Sequence, residues 1–232
     1  MVTGTKFPLH EACREGDFSK VRELVEEDPK AVLAKDLDSR YPIHWAVSYQ
    51  HEAIVEFLLS FMQKSDLDNL VDDSGWSVLH IASSVGNLNI LMKLINHTIK
   101  PDVNLATTQG TTPLDLACSK KQVQIVEALL KDGASIRHKD SRNQLALHRA
   151  ASVGSMPIVE ILCENRSPVN TKDTHGWTPL FHALSEGHGD IAVVLVQKYA
   201  AEYKNLEDVN GRSALQVVAD DKVKSFFLQN VE

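Results

Sequence analysis

A chain of 232 residues, 43% apolar and 24% charged, is long and apolar enough to build its own core without disulfide or metal staples. Its formal charge of −7 argues against nucleic acid as the main partner, because neutralising phosphates takes clustered Lys and Arg. No apolar run reaches the ~18 residues that cross a bilayer, so no membrane role is expected.

Taken in chain order, one hexapeptide pattern returns seven times. The first unit, about 5–36, carries FPLHEA from Phe7 and a glycine at Gly16 that should end a short helix. The second, 37–71, follows the turn Asp36 to Arg40, carries YPIHWA from Tyr41, and continues into a helix with Ile54, Val55, Leu58 and Leu59 on one face. Ser60 to Leu70 is expected to be a longer return loop. The third, 72–106, opens on the turn Asp72 to Trp76, then SVLHIA from Ser77 and Gly86. The fourth, 107–139, has TPLDLA from Thr112, followed by Ile125, Val126, Leu129 and Leu130 at helical spacing. The fifth, 140–172, has the turn Asp140 to Gln144, LALHRA from Leu145, Gly154, and then Ile158, Val159, Ile161 and Leu162. The sixth, 173–207, has the turn Asp173 to Trp177, TPLFHA from Thr178 and Gly187. The seventh, 208–232, has the turn Asp208 to Arg212, SALQVV from Ser213 and a closing helix near Asp221 to Asn230.

The shared apolar residue falls at Leu9, Ile43, Leu79, Leu114, Leu147, Leu180 and Leu215, in steps of 34, 36, 35, 33, 33 and 35 residues. Turn, short helix, bend, longer helix and return loop in about 33 residues resembles the ankyrin repeat. The expected fold is an all-α repeat solenoid of seven such units with turn tips and terminal caps, in a single domain spanning 1–232. One unit cannot bury its apolar faces alone and gains a core by stacking on its neighbours.

Catalytic chemistry finds no support. His10, His44, His80 and His148 share one repeated position, spaced too far apart for a common zinc ion, and the resemblance to ankyrin repeats implies that a histidine there braces backbone across the turn. His175, His182, His188 and Asp190 form the best remaining metal candidate, and a cryptic metal hydrolase is the reading they would carry. No phosphate loop, nucleophile elbow or Cys-x-x-Cys pair occurs, so no enzyme activity, metal or cofactor is expected. Cys13, Cys118 and Cys163 are odd in number and far apart, which fits reduced core thiols. Met1 to His10 lacks the layout of a secretory signal, so cytoplasm and nucleus are the expected locations.

In ankyrin-like stacks the turn tips and the exposed side of the first helices form the face that meets a partner, so the resemblance implies protein binding there. The candidates are Glu15, Asp38, Arg40, Trp45, Tyr49, Asp73, Trp76, Lys120, Arg142, Ser152, His175, Trp177, Glu186 and Arg212. Trp76 and Trp177 hold the same outward turn position, and exposed Trp beside Arg is typical of binding hot spots. The charge is uneven: residues 1–116 hold 17 acidic and 10 basic side chains, residues 117–232 hold 14 of each. That asymmetry suggests a partner that is basic where it meets the early repeats and mixed in sign further along.

The strings LDSRYPIHWAVS from Leu37, DDSGWSVLHIASSVGN from Asp72, LHRAASVGS from Leu147, HGWTPLFHALSEGHGD from His175 and VKSFFLQNV near the C-terminus resemble the gankyrin-like chaperones of the proteasome regulatory particle, the fungal members especially. The resemblance implies a non-enzymatic assembly chaperone, monomeric on its own, that grips the C-terminal domain of one proteasomal ATPase subunit. By matching motif it also implies contacts through Asp36, Asp38, Asp72 and Asp73 with Arg40 and Trp76, and through Lys120. Thr107 and Asp115 depart from the pattern. The alternative is a generic ankyrin scaffold or transcriptional regulator using the same groove.

Overall fold

The computed structural model describes residues 6–231. Thr5 and the residues before it, on which the absent turn ahead of Phe7 and the absent secretory layout fall, lie outside the described residues. The described chain forms two compact units, one ending at Pro113 and the other beginning at Leu114.

The first unit holds α1 (Pro8–Glu15), α2 (Phe18–Glu27), α3 (Pro42–Ser48), α4 (Glu52–Phe61), α5 (Val78–Val85) and α6 (Leu88–Ile95). The first helices of its repeats, the short α1, α3 and α5, lie side by side, and the second helices α2, α4 and α6 form another layer. The second unit holds α7 (Pro113–Ser119), α8 (Val123–Lys131), α9 (Ala146–Val153), α10 (Met156–Glu164), α11 (Pro179–Ser185), α12 (Gly189–Gln197) and α13 (Asp221–Val231). Proline opens α1, α3 and α11 at the first helical position, where its missing N–H costs nothing and its fixed φ is already helical. The repeated apolar residue is buried from Leu9 to Leu180, while Leu215 in the last unit is only half-buried.

In the first six repeats a left-handed residue follows the first helix seven positions after that apolar residue. Gly16, Gly86 and Gly154 fill it as helix caps, but Gln50 (φ 61) and Lys121 (φ 57) fill it in two other repeats. Packing explains the difference at Gly16 and Gly154. His51 Nε2 donates to Arg14 O at 3.1 Å and His188 Nε2 to Ser152 O at 3.1 Å, which seats each imidazole on the glycine of the preceding repeat. A Cβ on Gly16 would stand 2.6 Å from His51 Cε1, and one on Gly154 would overlap His188. In the repeats after Gln50 and Lys121 the register places Asn87 and Ser155 instead of histidine.

The histidines at the shared hexapeptide position are the braces expected. In His44, His80 and His148 the Nδ1 accepts from the backbone N–H of Tyr41, Ser77 and Leu145 at 3.2, 3.2 and 3.0 Å. Their Nε2–H groups donate to Trp76 O, Thr111 O and Thr171 O at 3.2, 3.0 and 3.0 Å, which ties a helix start to the edge of the following repeat. His10 makes the second bond, to Arg40 O at 3.0 Å. Burial pushes the pKa of His44, His80 and His148 down to about 4, against which these carbonyls pull only weakly.

Two regions differ from expectation. Ser60 to Leu70 is no open loop: Ser60 and Phe61 finish α4, Leu67–Asn69 form a 3-10 turn, Met62 and Leu67 are core residues, and Asp68 Oδ2 accepts from Asp102 N at 2.8 Å. In the seventh repeat the first helix shrinks to one 3-10 turn, Ala214–Gln216. Gln216 there replaces the bracing histidine and accepts from Ser213 N at 2.7 Å. Asp220 then accepts from Lys222 N and Val223 N to start α13, whose Phe227 is fully buried and meets Tyr203 edge-on at 5.3 Å. That closing helix shields the end of the core, as expected.

Candidate functional site

The turn tips share one construction. The first Asp of each accepts two backbone N–H groups through Oδ1: Asp36 from Asp38 and Arg40, Asp72 from Ser74 and Trp76, Asp140 from Arg142 and Gln144, Asp173 from His175 and Trp177, Asp208 from Asn210 and Arg212, all at 2.8–3.0 Å. This is the side-chain mimic of a turn that makes Asp favoured there. In the fourth repeat Thr107 Oγ1 accepts one bond, from Thr111 N at 3.2 Å. Neighbouring tips are zipped by backbone, Asp73 N to Asp38 O at 3.2 Å and Thr108 N to Ser74 O at 3.1 Å in the first unit, Thr174 N to Arg142 O at 2.9 Å and Val209 N to His175 O at 3.0 Å in the second.

The other oxygen of the tip Asp reaches a donor nine residues on. Trp45 Nε1 donates to Asp36 Oδ2 at 2.8 Å, Arg149 Nη2 to Asp140 Oδ2 at 2.6 Å, and His182 Nε2 to Asp173 Oδ2 at 2.9 Å. Burial pushes the Asp36 and Asp173 carboxyls up, but these side-chain bonds and the tip N–H groups outweigh it and hold both below the usual carboxylate range. Asp36 is therefore spent on its own repeat. Asp72, with only 9% of its side chain exposed, is similarly engaged, with Arg40 Nε 3.6 Å away.

In the first unit, Arg40, Ser48, Asp72, Ser74, Trp76, Ser84 and Val85 line one groove of about 300 Å³ with Ile81 at its floor. Asp38 and Asp73 stand exposed at the tips, and among the described residues their carboxylates have no hydrogen-bond or ion-pair partner. Arg40 lies over Trp45 at 5.4 Å, Trp45 stacks with Tyr49 at 6.3 Å, and Tyr49 is exposed. Glu15 is exposed and sits 3.6 Å from Arg14.

In the second unit, Arg142, Ser152, His175, Trp177 and Glu186 from the candidate set line a hollow of about 420 Å³ together with Ser119, Gln144, His148, Arg149, Val153 and His182. Arg142 and His175 stand open in it, with side chains 57% and 67% exposed, and Glu186 is exposed beside them. Lys120 is exposed outside that lining. Arg212 is tied to Asp208 at 2.7 Å and lies over Trp177 at 6.0 Å. Trp76 and Trp177 are half-buried instead of exposed. Trp177 folds toward the next tip, donating from Nε1 to Asp208 Oδ2 at 3.1 Å and meeting His182 edge-on at 5.2 Å.

Arg149 and His182 were not among the binding candidates, yet both help form the floor of the hollow. The signal for them was a side-chain N–H donor nine residues after a tip Asp. Of the metal candidates, His175 and His182 both face Asp173 Oδ2, at 4.0 and 2.9 Å, whereas His188 donates to Ser152 O at 3.1 Å in the preceding repeat. Among the described residues no group of three or more His, Cys, Asp or Glu is placed to hold a metal ion. The three cysteines are buried free thiols.

Tips of this form, short helices braced by histidine and a second helical layer define a repeat protein built to present a lined groove. The chain belongs to the ankyrin-repeat family: three copies of the family model match residues 3–69, 60–140 and 136–208. Within it the sequence is 52% identical over 228 residues to the "Probable 26S proteasome regulatory subunit p28" of Saccharomyces cerevisiae, covering 98% of this chain and all of that one, which places it among the gankyrin-like proteins. It is also 30% identical over 102 residues to the "26S proteasome non-ATPase regulatory subunit 10" of Dictyostelium discoideum, covering 40% of this chain and 43% of that one. The fold is that of the solved ankyrin repeat domain of Bcl-3, with a TM-score of 0.76, 97% of this chain and 99% of that chain covered, and 21% identity.

Proposed function

We propose that this protein is a non-enzymatic assembly chaperone of the proteasome regulatory particle, holding the C-terminal domain of one ATPase subunit on its tips and first helices. The observation that carries the reading is 52% identity, end to end, with a protein named as a probable 26S proteasome regulatory subunit. The grooves support it physically. Unpaired carboxylates at Asp38 and Asp73 suit a basic partner surface, and open cations at Arg142 and Lys120 suit an acidic one. Such complementarity sets docking register and association rate more than affinity.

In this reading the protein works as a monomer in cytoplasm and nucleus, and its bulk blocks premature docking of the ATPase onto the proteolytic core. It needs no nucleotide or cofactor. The test is calorimetric titration of the full chain against the purified C-terminal domain of each regulatory-particle ATPase in turn. One domain should bind, and Asp38→Lys with Asp73→Lys should weaken it by roughly tenfold or more. Failure of every ATPase domain to bind the wild-type chain would refute the proposal and favour a scaffold for some other protein.

A further inference from the structure

The early excess of acid does not sit mainly on the tips. Residues 1–113 hold 16 acidic and 10 basic side chains, and the outer helices α2 and α4 with the capping residues of α2, 17–28 and 52–61, account for seven of the acids and two of the bases. Glu23, Glu26, Glu27 and Glu56 among them are exposed on the layer away from the short helices.

The same surface carries aromatic side chains off the buried stripe. The core positions of α2 and α4 are Val21, Val25, Ile54, Val55, Leu58 and Leu59. Outside them Phe18 meets Phe57 edge-on at 5.5 Å and Phe57 meets Phe61 at 5.1 Å, a chain of rings bridging the two helices, with Phe61 43% exposed. The second unit provides an internal comparison: α8, α10 and α12 expose no large apolar side chain among the described residues, and its exposed ring, Phe226 at 46%, lies on the closing helix α13. Fold alone therefore does not require the phenylalanine ridge.

We propose that the α2–α4 face is a second docking surface, separate from the tips, for an amphipathic helix of a partner protein with an apolar stripe flanked by Lys or Arg. The apolar stripe would lie on Phe18, Phe57 and Phe61, and the cations would reach Glu26 and Glu27 and compete for Glu23 and Glu56, which pair with Lys20 and Lys93 in the free chain. The face already shows both contacts in miniature: Arg22 sits over the Phe18 ring at 5.1 Å, and Lys20 pairs with Glu23 at 2.9 Å. Helix-in-groove recognition uses this combination of apolar anchors and flanking charge. The acidic rim disfavours anionic lipid and nucleic acid, whose phosphates it would repel.

The test uses the isotope-labelled full chain and a synthetic peptide of about 20 residues, long enough to form a helix, with leucine along one face and lysine on the others. Amide shifts on titration should cluster on α2 and α4. Glu23→Lys with Glu26→Lys should weaken binding by roughly tenfold, and Phe61→Ser should weaken it further at high salt, where charge contacts are screened. The control pair Glu160→Gln and Glu164→Gln on α10 should leave affinity unchanged. Shifts centred on the tips, or equal binding by the α2 and α10 variants, would overturn the proposal. So would dimerisation of the chain alone that Phe61→Ser abolishes, because the face would then belong to a second copy. Both helices stay testable for folding by circular dichroism, and the double charge variant touches no buried residue.

Discussion

Acid should unfold this protein through its histidine braces. His44, His80 and His148 are fully buried, each bonded at both ring nitrogens, with pKa values pushed down to about 4 by burial. Unfolded, each would titrate near 6.5. A depressed histidine stabilises the fold fully above about pH 6.5, and that contribution is lost as pH falls toward 4, where the unfolded chain binds protons the native chain refuses. At about 1.4 kcal/mol per tenfold difference, each brace forfeits ~3 kcal/mol across that window. Native domains are stable by roughly 5–15 kcal/mol in total, so three braces amount to a large share. Two of the three lie in the first unit, which should therefore melt at higher pH than the second. The measurement is a series of urea titrations from pH 7.5 to 4, with histidine ring resonances followed by NMR to assign the protons. His80→Gln should be less stable at pH 7.5 and show a shallower pH slope than the parent. If the three imidazoles titrate near 6.5 in a folded chain, or the urea midpoint is the same at pH 5 and pH 7.5, the reasoning fails.

Other outcomes follow from the same contacts. Asp173→Ala strips acceptors from the His175 and Trp177 N–H groups, His182 and Gln144, and should cost about 3–5 kcal/mol in chemical denaturation, whereas Asp38→Ala should stay within about 0.5 kcal/mol. Gly154→Ala should lose at least ~2 kcal/mol, from left-handed backbone strain and collision with His188, and pairing it with His188→Ala should recover part of that loss. Burial pushes the Cys13 and Cys163 thiols up to about 12 and Cys118 well above its ordinary value, so a thiol reagent at pH 8 should label none of them until denaturant is added.

Much of the architecture was legible because it is periodic. The seven-fold register, the short and long helices, the Asp-led tips and the bracing role of the repeated histidine all come from patterns spanning a few residues, and each recurs often enough to average out local exceptions. The exceptions themselves were not legible in that way. Gln50 and Lys121 adopt left-handed backbone where glycine was the signal, and at Gly16 and Gly154 the glycine is needed because an imidazole of the following repeat fills the space of a Cβ. Asp36 and Asp72 look like outward acids, but each carboxylate turns inward to backbone N–H groups of its own tip. Trp177 reads as an open anchor, and the carboxylate of Asp208, 31 residues on, draws it half out of solvent.

The sequence by itself thus determined what kind of unit is built and how many times, since helix periodicity and turn chemistry act over distances shorter than one repeat. Only the tertiary structure decided which polar side chains remain available for a partner and where the early acidity sits. Those outcomes depend on atoms contributed by the next repeat, some thirty residues away, and hydrogen-bond partners at that separation leave no local periodicity to read.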